Sequence, residues 1–201
     1  MHERLLRWDV PIPMEADAVA AQVIPDGTRT LIISPCSSHT LRNWSAERYA
    51  AVADHAAQVH HMRVVLCGAP SAIEREMGMA IMRHARTAVS NRIGADSLPQ
   101  LLALLSRATV LLSPDSGPVH MATMVGTPVI GLYAATNPGR TGPYLSRSWC
   151  VDAYPQAAER FRGRTADELP WTTKIEVPGV MDLIEVPQVT AKLDALLASQ
   201  S

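Results

Sequence analysis

A buried strand that turns directly into a helix, within residues 110–144, constrains the fold of this chain more than any other feature. The strand ends in the tetrapeptide Pro-Asp-Ser-Gly at 114–117, and the helix begins near Pro118. A helix start offers unpaired backbone N–H groups and a partial positive charge, and a glycine there lets a phosphate approach the backbone. A second strand at 128–133 ends in the polar loop 136–140. Parallel strands that end on one sheet edge predict a ligand site at that edge.

The rest of the chain alternates strand and helix, which predicts an α/β fold with a mainly parallel sheet and helices on both faces. We predict strands at 31–33, 64–66, 110–113, 128–133 and 149–151, and a short extended piece at 88–93. Helices are predicted at 45–59, 71–85, 97–108, 156–162 and 187–199, besides the one near Pro118. Ser45, Ser71 and Ser97 are the expected N-caps. Residues 1–8 look like the end of a helix, so we expect a lead or linker at 1–27 and one domain at 28–201.

Composition narrows the function classes. A chain of 201 residues with 47% hydrophobic residues suits one domain, and its net charge of −1 argues against non-specific nucleic-acid binding. Cys36, Cys67 and Cys150 lack CxxC spacing, so we expect neither disulfides nor structural zinc, and a reducing cytoplasm fits. No apolar run suits a signal peptide or a transmembrane segment. No His/Asp/Cys cluster has metal-ligand spacing, so we expect no metal or other cofactor.

The loop after the first predicted strand carries the small hydroxyl side chains Ser37 and Ser38, followed by Arg42. Hydroxyl and backbone donors suit phosphate oxygens, and an arginine can add a bidentate, charge-assisted contact. By itself such a loop is more often a simple turn. Together with the glycine turn, it belongs to a set of loops that we expect to form one cleft at the sheet edge: 34–42, 68–71, 94–97, 114–118 and 134–140.

These motifs, taken in order, resemble the C-terminal half of family 9 glycosyltransferases, the ADP-heptose:lipopolysaccharide heptosyltransferases. The resemblance covers residues 28–145 and returns at 181–197. It rests on Ser37-Ser38, Arg42-Asn43-Trp44, Gly68-Ala69-Pro70, Asp115-Ser116-Gly117-Pro118-Val119-His120-Met121-Ala122, Gly126-Thr127-Pro128, Thr136-Asn137-Pro138 and Gly142-Pro143.

The resemblance implies a Rossmann-like, nucleotide-sugar-binding lobe of a two-lobed (GT-B) enzyme. It implies that diphosphate is held by Ser37, Ser38 and the backbone of Ser116 and Gly117, that Arg42 contacts the donor, that Asp115 bonds sugar hydroxyls, and that 94–97, including Asp96, lies near base and ribose. His120 is a ligand neighbour by the resemblance, although a histidine that bonds only backbone at a helix start is the simpler interpretation. The family often places an acid just after the Gly-x-Pro turn, where this chain has Ser71-Ala72, and Glu74 is the nearest carboxylate.

The implied activity is transfer, with inversion, of a heptose-like sugar from a nucleotide diphosphate donor such as ADP-heptose to a lipopolysaccharide core acceptor. The resemblance places the catalytic base in an acceptor lobe that this sequence lacks, so we expect no catalytic base here and no turnover by the chain alone. It also allows a peripheral position at the inner membrane. A free-standing, non-catalytic nucleotide-binding module remains the alternative. A nicotinamide-dependent oxidoreductase is disfavoured, because no GxGxxG follows the first strand.

Overall fold

The computed structural model describes residues 8–200. Six strands form one sheet in the order β3-β2-β1-β4-β5-β6, and every neighbouring pair is parallel. The strands are β1 Thr30–Ile33, β2 Arg63–Leu66, β3 Val89–Asn91, β4 Val110–Pro114, β5 Val129–Tyr133 and β6 Val151–Asp152. The predicted parallel α/β sheet is therefore confirmed. Chain order reverses between β1 and β4, which is the position where open α/β sheets bind ligands.

The α-helices in residues 8–200 are α1 Met14–Val23, α2 Ala46–His60, α3 Ala72–His84, α4 Leu98–Arg107, α5 Gly117–Met124, α6 Pro138–Thr141, α7 Tyr154–Arg162 and α8 Val186–Ser199. Three of them begin at the serines expected as caps. Ser45 accepts from the Arg48 N–H at 3.4 Å, Ser71 from that of Glu74 at 3.2 Å, and Ser97 from that of Gln100 at 3.4 Å. The predicted starts of α2, α3 and α4 are confirmed.

Both faces of the sheet are covered by helices, as predicted. Side chains alternate across each strand, so Leu31 and Ile33 of β1 pack into one core while Ile32 packs into the other. The first core takes its helical residues from α2, α7, α8 and Ile81 of α3, and the second takes them from α1, α4 and α5. Burial on both faces explains why these strands are continuous apolar runs.

Helix α1 lies within the segment that the sequence suggests as a lead, and the sequence pattern does not predict it. Its buried residues Ala16 and Ala20, with Ile24 just beyond, belong to the second core, where α1 packs against α4. Arg107 of α4 donates to the Ile24 carbonyl at 3.0 Å and pairs with Asp17 at 3.1 Å. Residues 14–24 are thus part of the packed structure. The helix end expected over residues 1–8 lies outside the described residues, apart from Trp8.

The last third of the chain departs most from the predicted elements. The strand expected at 149–151 is reduced to the two residues of β6, because 147–149 form a 3₁₀ turn. Helix α7 begins two residues before its predicted start. The short helix α6 is not predicted; Asn137 caps it by accepting from the Gly139 N–H at 2.8 Å. Two further 3₁₀ turns, at 166–168 and 180–183, lie in the long connection to α8.

Candidate functional site

A cleft of about 400 Å³ opens at the carboxyl ends of the strands, next to the point where chain order reverses. Its walls come from four of the five predicted loops and the helices that follow them, at 34–38, 68–74, 96–101 and 116–121. The fifth, 134–140, does not line it. Depressions of similar volume lie elsewhere, one of about 490 Å³ at 24–29 and 106–109, but they are more open and lie away from these strand ends. We therefore take the cleft at 34–121 as the candidate site.

The start of α5 forms one wall. Ser116 is its N-cap residue and makes no side-chain capping bond, and Gly117 and Pro118 follow as the first helical residues. The Ser113 hydroxyl donates to the Ser34 carbonyl at 2.9 Å, so the Ser116 hydroxyl, 2.8 Å away, must donate to Ser113. The hydroxyl hydrogen of Ser116 therefore does not face the cleft. Backbone N–H groups are what this wall offers an anion.

Gly117 leaves open space in front of those N–H groups. It is exposed, and a side chain built on it would meet no atom within 4 Å. Its backbone is not in the left-handed region that favours glycine. Nothing in the described protein therefore requires glycine here. What the absent side chain keeps open is the approach from the cleft.

The loop after β1 forms the opposite wall and is bonded to the first. The Ser37 hydroxyl donates to the Asp115 carbonyl at 2.7 Å. The Ser37 backbone N–H donates to the side-chain amide oxygen of Asn43, also at 2.7 Å. Ser38 is exposed, and its hydroxyl has no hydrogen bond to the described part of the chain. Of the two predicted phosphate ligands, Ser38 is thus the one whose hydroxyl is available, while Ser37 joins the two loops.

Arg42 and Asp115, which the sequence suggests as separate ligand contacts, form an ion pair with each other. The Arg42 guanidinium lies 3.1 Å from Asp115 and donates to Glu176 through two nitrogens at 2.8 and 2.6 Å. The three side chains are only 13%, 10% and 20% exposed, so little water screens them. Neither Arg42 nor Asp115 lines the cleft. Glu176 was not predicted, because it lies in an irregular segment with no recognisable motif.

Glu74 and Asp96 bring carboxylates to the ends of β2 and β3. Asp96 lines the cleft and accepts from Arg92 at 3.0 and 3.1 Å, and this hydrogen bonding raises the pKa of Arg92. Glu74 accepts from the Ala69 N–H at 2.8 Å; burial raises its pKa, and that hydrogen bond partly opposes the rise. A side chain at Gly68 would collide with the Glu74 carboxylate, so glycine allows Glu74 to fold over the end of β2.

His120 lies apart from these groups. It is exposed on α5 and does not line the cleft. Five of the eight predicted site residues do line it: Ser37, Ser38, Asp96, Ser116 and Gly117.

Carboxylates that face a cleft can accept from hydroxyls, and a helix start that faces the same space can donate to an anion. The cleft is therefore suited to a ligand that carries both hydroxyls and phosphate.

A family model supplies the decisive comparison. The model of glycosyltransferase family 9 (heptosyltransferase) matches residues 3–171. This chain belongs to glycosyltransferase family 9. The resemblance drawn from its motifs is confirmed.

Curated relatives of this family 9 chain agree with the model. The lipopolysaccharide core heptosyltransferase OpsX of Haemophilus influenzae is 40% identical over 190 residues, which are 94% of this chain and 54% of OpsX. Lipopolysaccharide heptosyltransferase 3 of Escherichia coli is 32% identical over 108 residues, 53% of this chain and 31% of that protein. The chain thus spans about half the length of OpsX and about a third of the length of heptosyltransferase 3.

Solved structures confirm the fold. A family 9 glycosyltransferase from Veillonella parvula superposes with a TM-score of 0.74 at 23% identity, covering 94% of this chain and 53% of that one. The E. coli ADP-heptose lipopolysaccharide heptosyltransferase II gives a TM-score of 0.70 at 20% identity, covering 95% and 54%. Within residues 8–200, none of the helices of this family 9 chain combines the length and apolar character needed to cross a membrane.

Proposed function

We propose that this family 9 chain binds a nucleotide diphosphate sugar in the cleft at 34–121 and supplies the donor half of a heptosyltransferase. The observation that carries the proposal is the uncapped start of α5, where Gly117 leaves the backbone N–H groups open to the cleft. Family membership and the 40% identity to a lipopolysaccharide core heptosyltransferase support the sugar and the acceptor. A relative of the same fold, the E. coli heptosyltransferase WaaC, has been solved with ADP, which supports ADP as the nucleotide.

The diphosphate is placed between Ser38 and the backbone N–H groups at the start of α5. Both line the cleft on facing walls, and the helix dipole favours negative charge at that end. The ribose and base are placed toward Asp96 and Glu74, whose carboxylate oxygens suit hydroxyl donors.

Asp115 is proposed as a sugar-binding residue that Arg42 holds in place. One guanidinium lies between the Asp115 and Glu176 carboxylates, and His39 lies 3.5 Å from Glu176, so the group carries excess negative charge when His39 is neutral. Such a group is a poor neighbour for a diphosphate and a good acceptor for sugar hydroxyls. A direct contact of Arg42 with the diphosphate would require at least one of its two carboxylate partners to be exchanged for a phosphate oxygen.

The proposed reaction is a direct displacement. An acceptor hydroxyl oxygen forms a bond to the anomeric carbon of the heptose, and the bond from that carbon to the diphosphate oxygen breaks with inversion. The hydroxyl proton passes to a base, which we place in an acceptor-binding half outside this chain. Within the chain, the start of α5 stabilises the charge that grows on the departing nucleotide diphosphate. We place the activity in the cytoplasm at the surface of the inner membrane, a reducing compartment that suits the three free cysteines.

Calorimetric titration tests the proposal. The chain is titrated with ADP, UDP and GDP in parallel and then with ADP-heptose, and we expect ADP and ADP-heptose to bind most tightly. Failure of all three nucleotide diphosphates to bind would overturn the site. A separate assay for heptose transfer to a lipopolysaccharide core acceptor tests the placement of the base, because turnover by the chain alone would contradict it.

A further inference from the structure

Two histidines and an aspartate meet where α2 packs against α8, outside the cleft. The Nε2 atoms of His55 and His60 lie 2.7 and 2.6 Å from the same Oδ1 atom of Asp194. One potential ligand atom from each residue can be chosen so that all lie within 4.8 Å of one another. This is the one such group of three His, Cys, Asp or Glu side chains found among residues 8–200.

Spacing along the helix conceals this cluster. His55 and His60 are five residues apart on α2, which places them about 140° apart around the helix axis. They converge because they approach Asp194 of the neighbouring helix from two sides, with ring centroids 5.4 Å apart and planes at 69°. The cluster therefore depends on the packing of α8 against α2, which no local pattern reveals.

The donor set is that of a transition-metal site. Two imidazole nitrogens and one carboxylate oxygen form the His₂-carboxylate set that binds zinc with a position left open, and imidazole favours zinc, nickel or copper over magnesium or calcium. Burial alone would raise the pKa of Asp194, but the hydrogen bonds from His55 and His60 outweigh it and hold the pKa below its usual value.

Binding an ion would require both contacts of Asp194 to lengthen. Around a tetrahedral ion with bonds of about 2.0–2.1 Å, ligand atoms stand about 3.3 Å apart. The N···O distances of 2.7 and 2.6 Å would have to lengthen by about 0.6 and 0.7 Å. The Asp194 side chain is 48% exposed and those of His55 and His60 are 25% and 19% exposed, so small rotations can supply this and water can reach the open position.

We propose that His55, His60 and Asp194 bind a divalent transition-metal ion, with zinc as the first candidate, and that the ion links α8 to α2. This departs from the expectation, drawn from sequence spacing, that the chain binds no metal. The bound ion would stabilise the docking of α8 without entering the cleft. The proposal is independent of the nucleotide-binding function.

Zinc titration of the chelator-treated chain, in a buffer that does not bind metal, tests the proposal. We expect one equivalent to bind, and zinc at 100 times its Kd to raise the Tm by about 5–10 °C. His60→Ala and Asp194→Asn should each weaken zinc binding at least tenfold. His84→Ala is the matched control, because His84 also pairs with a carboxylate, Glu47 at 3.2 Å, but in a pair rather than a group of three. The control should bind zinc as the unchanged chain does.

A second measurement does not depend on variants that fold. Cobalt bound to the unchanged chain should give visible absorption typical of a tetrahedral site, and zinc should displace it. Absence of stoichiometric zinc binding, or absence of that cobalt spectrum, would overturn the proposal. So would equal zinc affinity in His60→Ala and His84→Ala.

Discussion

Replacing Gly117 by valine separates the ligand contribution of the α5 start from its role in the fold. A Cβ at this exposed position meets no atom within 4 Å, and the backbone is not left-handed. Valine also has a better helix propensity than glycine. We therefore expect the variant to fold, with a free energy of unfolding within about 0.5 kcal/mol of the unchanged chain.

The expected loss of binding follows from the donors at this helix start. Pro118 has no N–H, so a diphosphate would be held by the N–H groups of Gly117, Val119 and neighbouring residues. Each hydrogen bond to a charged group contributes about 1.5–3 kcal/mol. A branched side chain that blocks two of them removes about 3 kcal/mol or more, a loss of over 100-fold in affinity. ADP and an ADP-sugar share the diphosphate and should lose equally.

Ala72→Val is the matched control. Ala72 is the exposed first residue of α3 and does not line the cleft, so the variant places valine at the same helical position away from the proposed site. Each variant is titrated calorimetrically with ADP and with an ADP-sugar after its fold is checked by circular dichroism and thermal unfolding. Unchanged ADP affinity in folded Gly117→Val would refute the placement of the diphosphate at α5.

Three further changes test other parts of the site. Asp115→Ala should spare the binding of bare ADP and weaken that of the ADP-sugar, and equal losses for both ligands would remove its role in sugar recognition. Arg42→Ala leaves Asp115 without its cation and Glu176 with His39 alone, 3.5 Å away. It should cost about 3 kcal/mol of stability, a fall in Tm of about 6–12 °C, part of which Arg42→Ala/Glu176→Ala should restore. If Arg42 also contacts the diphosphate, Arg42→Ala should weaken ADP binding by about 1.5–3 kcal/mol. Unchanged ADP affinity would show that the role of Arg42 is to hold Asp115. Burial raises the pKa of Cys36, Cys67 and Cys150 to about 12, so the reactive thiolate is scarce at pH 8. A disulfide reagent should therefore label these cysteines quickly only after the chain unfolds. Fast labelling of the folded chain would contradict this.

Sequence reasoning succeeded where the structure depends on local chemistry. Apolar runs gave the strands, and the N-cap serines gave the starts of α2, α3 and α4. Helix α1 was missed because its N-cap residue, Pro13, makes no side-chain cap and its alanines give a weak amphipathic pattern. Helix α6 is a single turn, too short for a periodic signal. Short or weakly amphipathic helices are stabilised by tertiary packing, and the spacing of residues along the chain does not reveal that packing.

Contacts between distant residues account for what was missed in the sites. Glu176 contacts Arg42, which is 134 residues earlier in the sequence, and Asp194 contacts His60, which is also 134 residues earlier. Each pair joins a residue in or near α2 to one in the last part of the chain, which folds back over the first core. Motif spacing identified five residues that face the cleft, because they follow strand ends. It could not identify carboxylates that arrive from the far end of the chain.

The contacts around Asp115 bear on how tightly the proposed site can bind. Ser37 donates to the Asp115 carbonyl, and Arg42 pairs with its carboxylate, so the loop after β1 is fastened at two points to the loop after β4. Ordering a loop when a ligand binds lowers affinity, because the lost conformational freedom offsets part of the contact energy. Here the two walls that would hold the diphosphate are already joined without it. The Ser37 bond, which Asp115→Ala leaves in place because it ends on the backbone carbonyl, should therefore be the contact whose loss weakens binding of every nucleotide diphosphate.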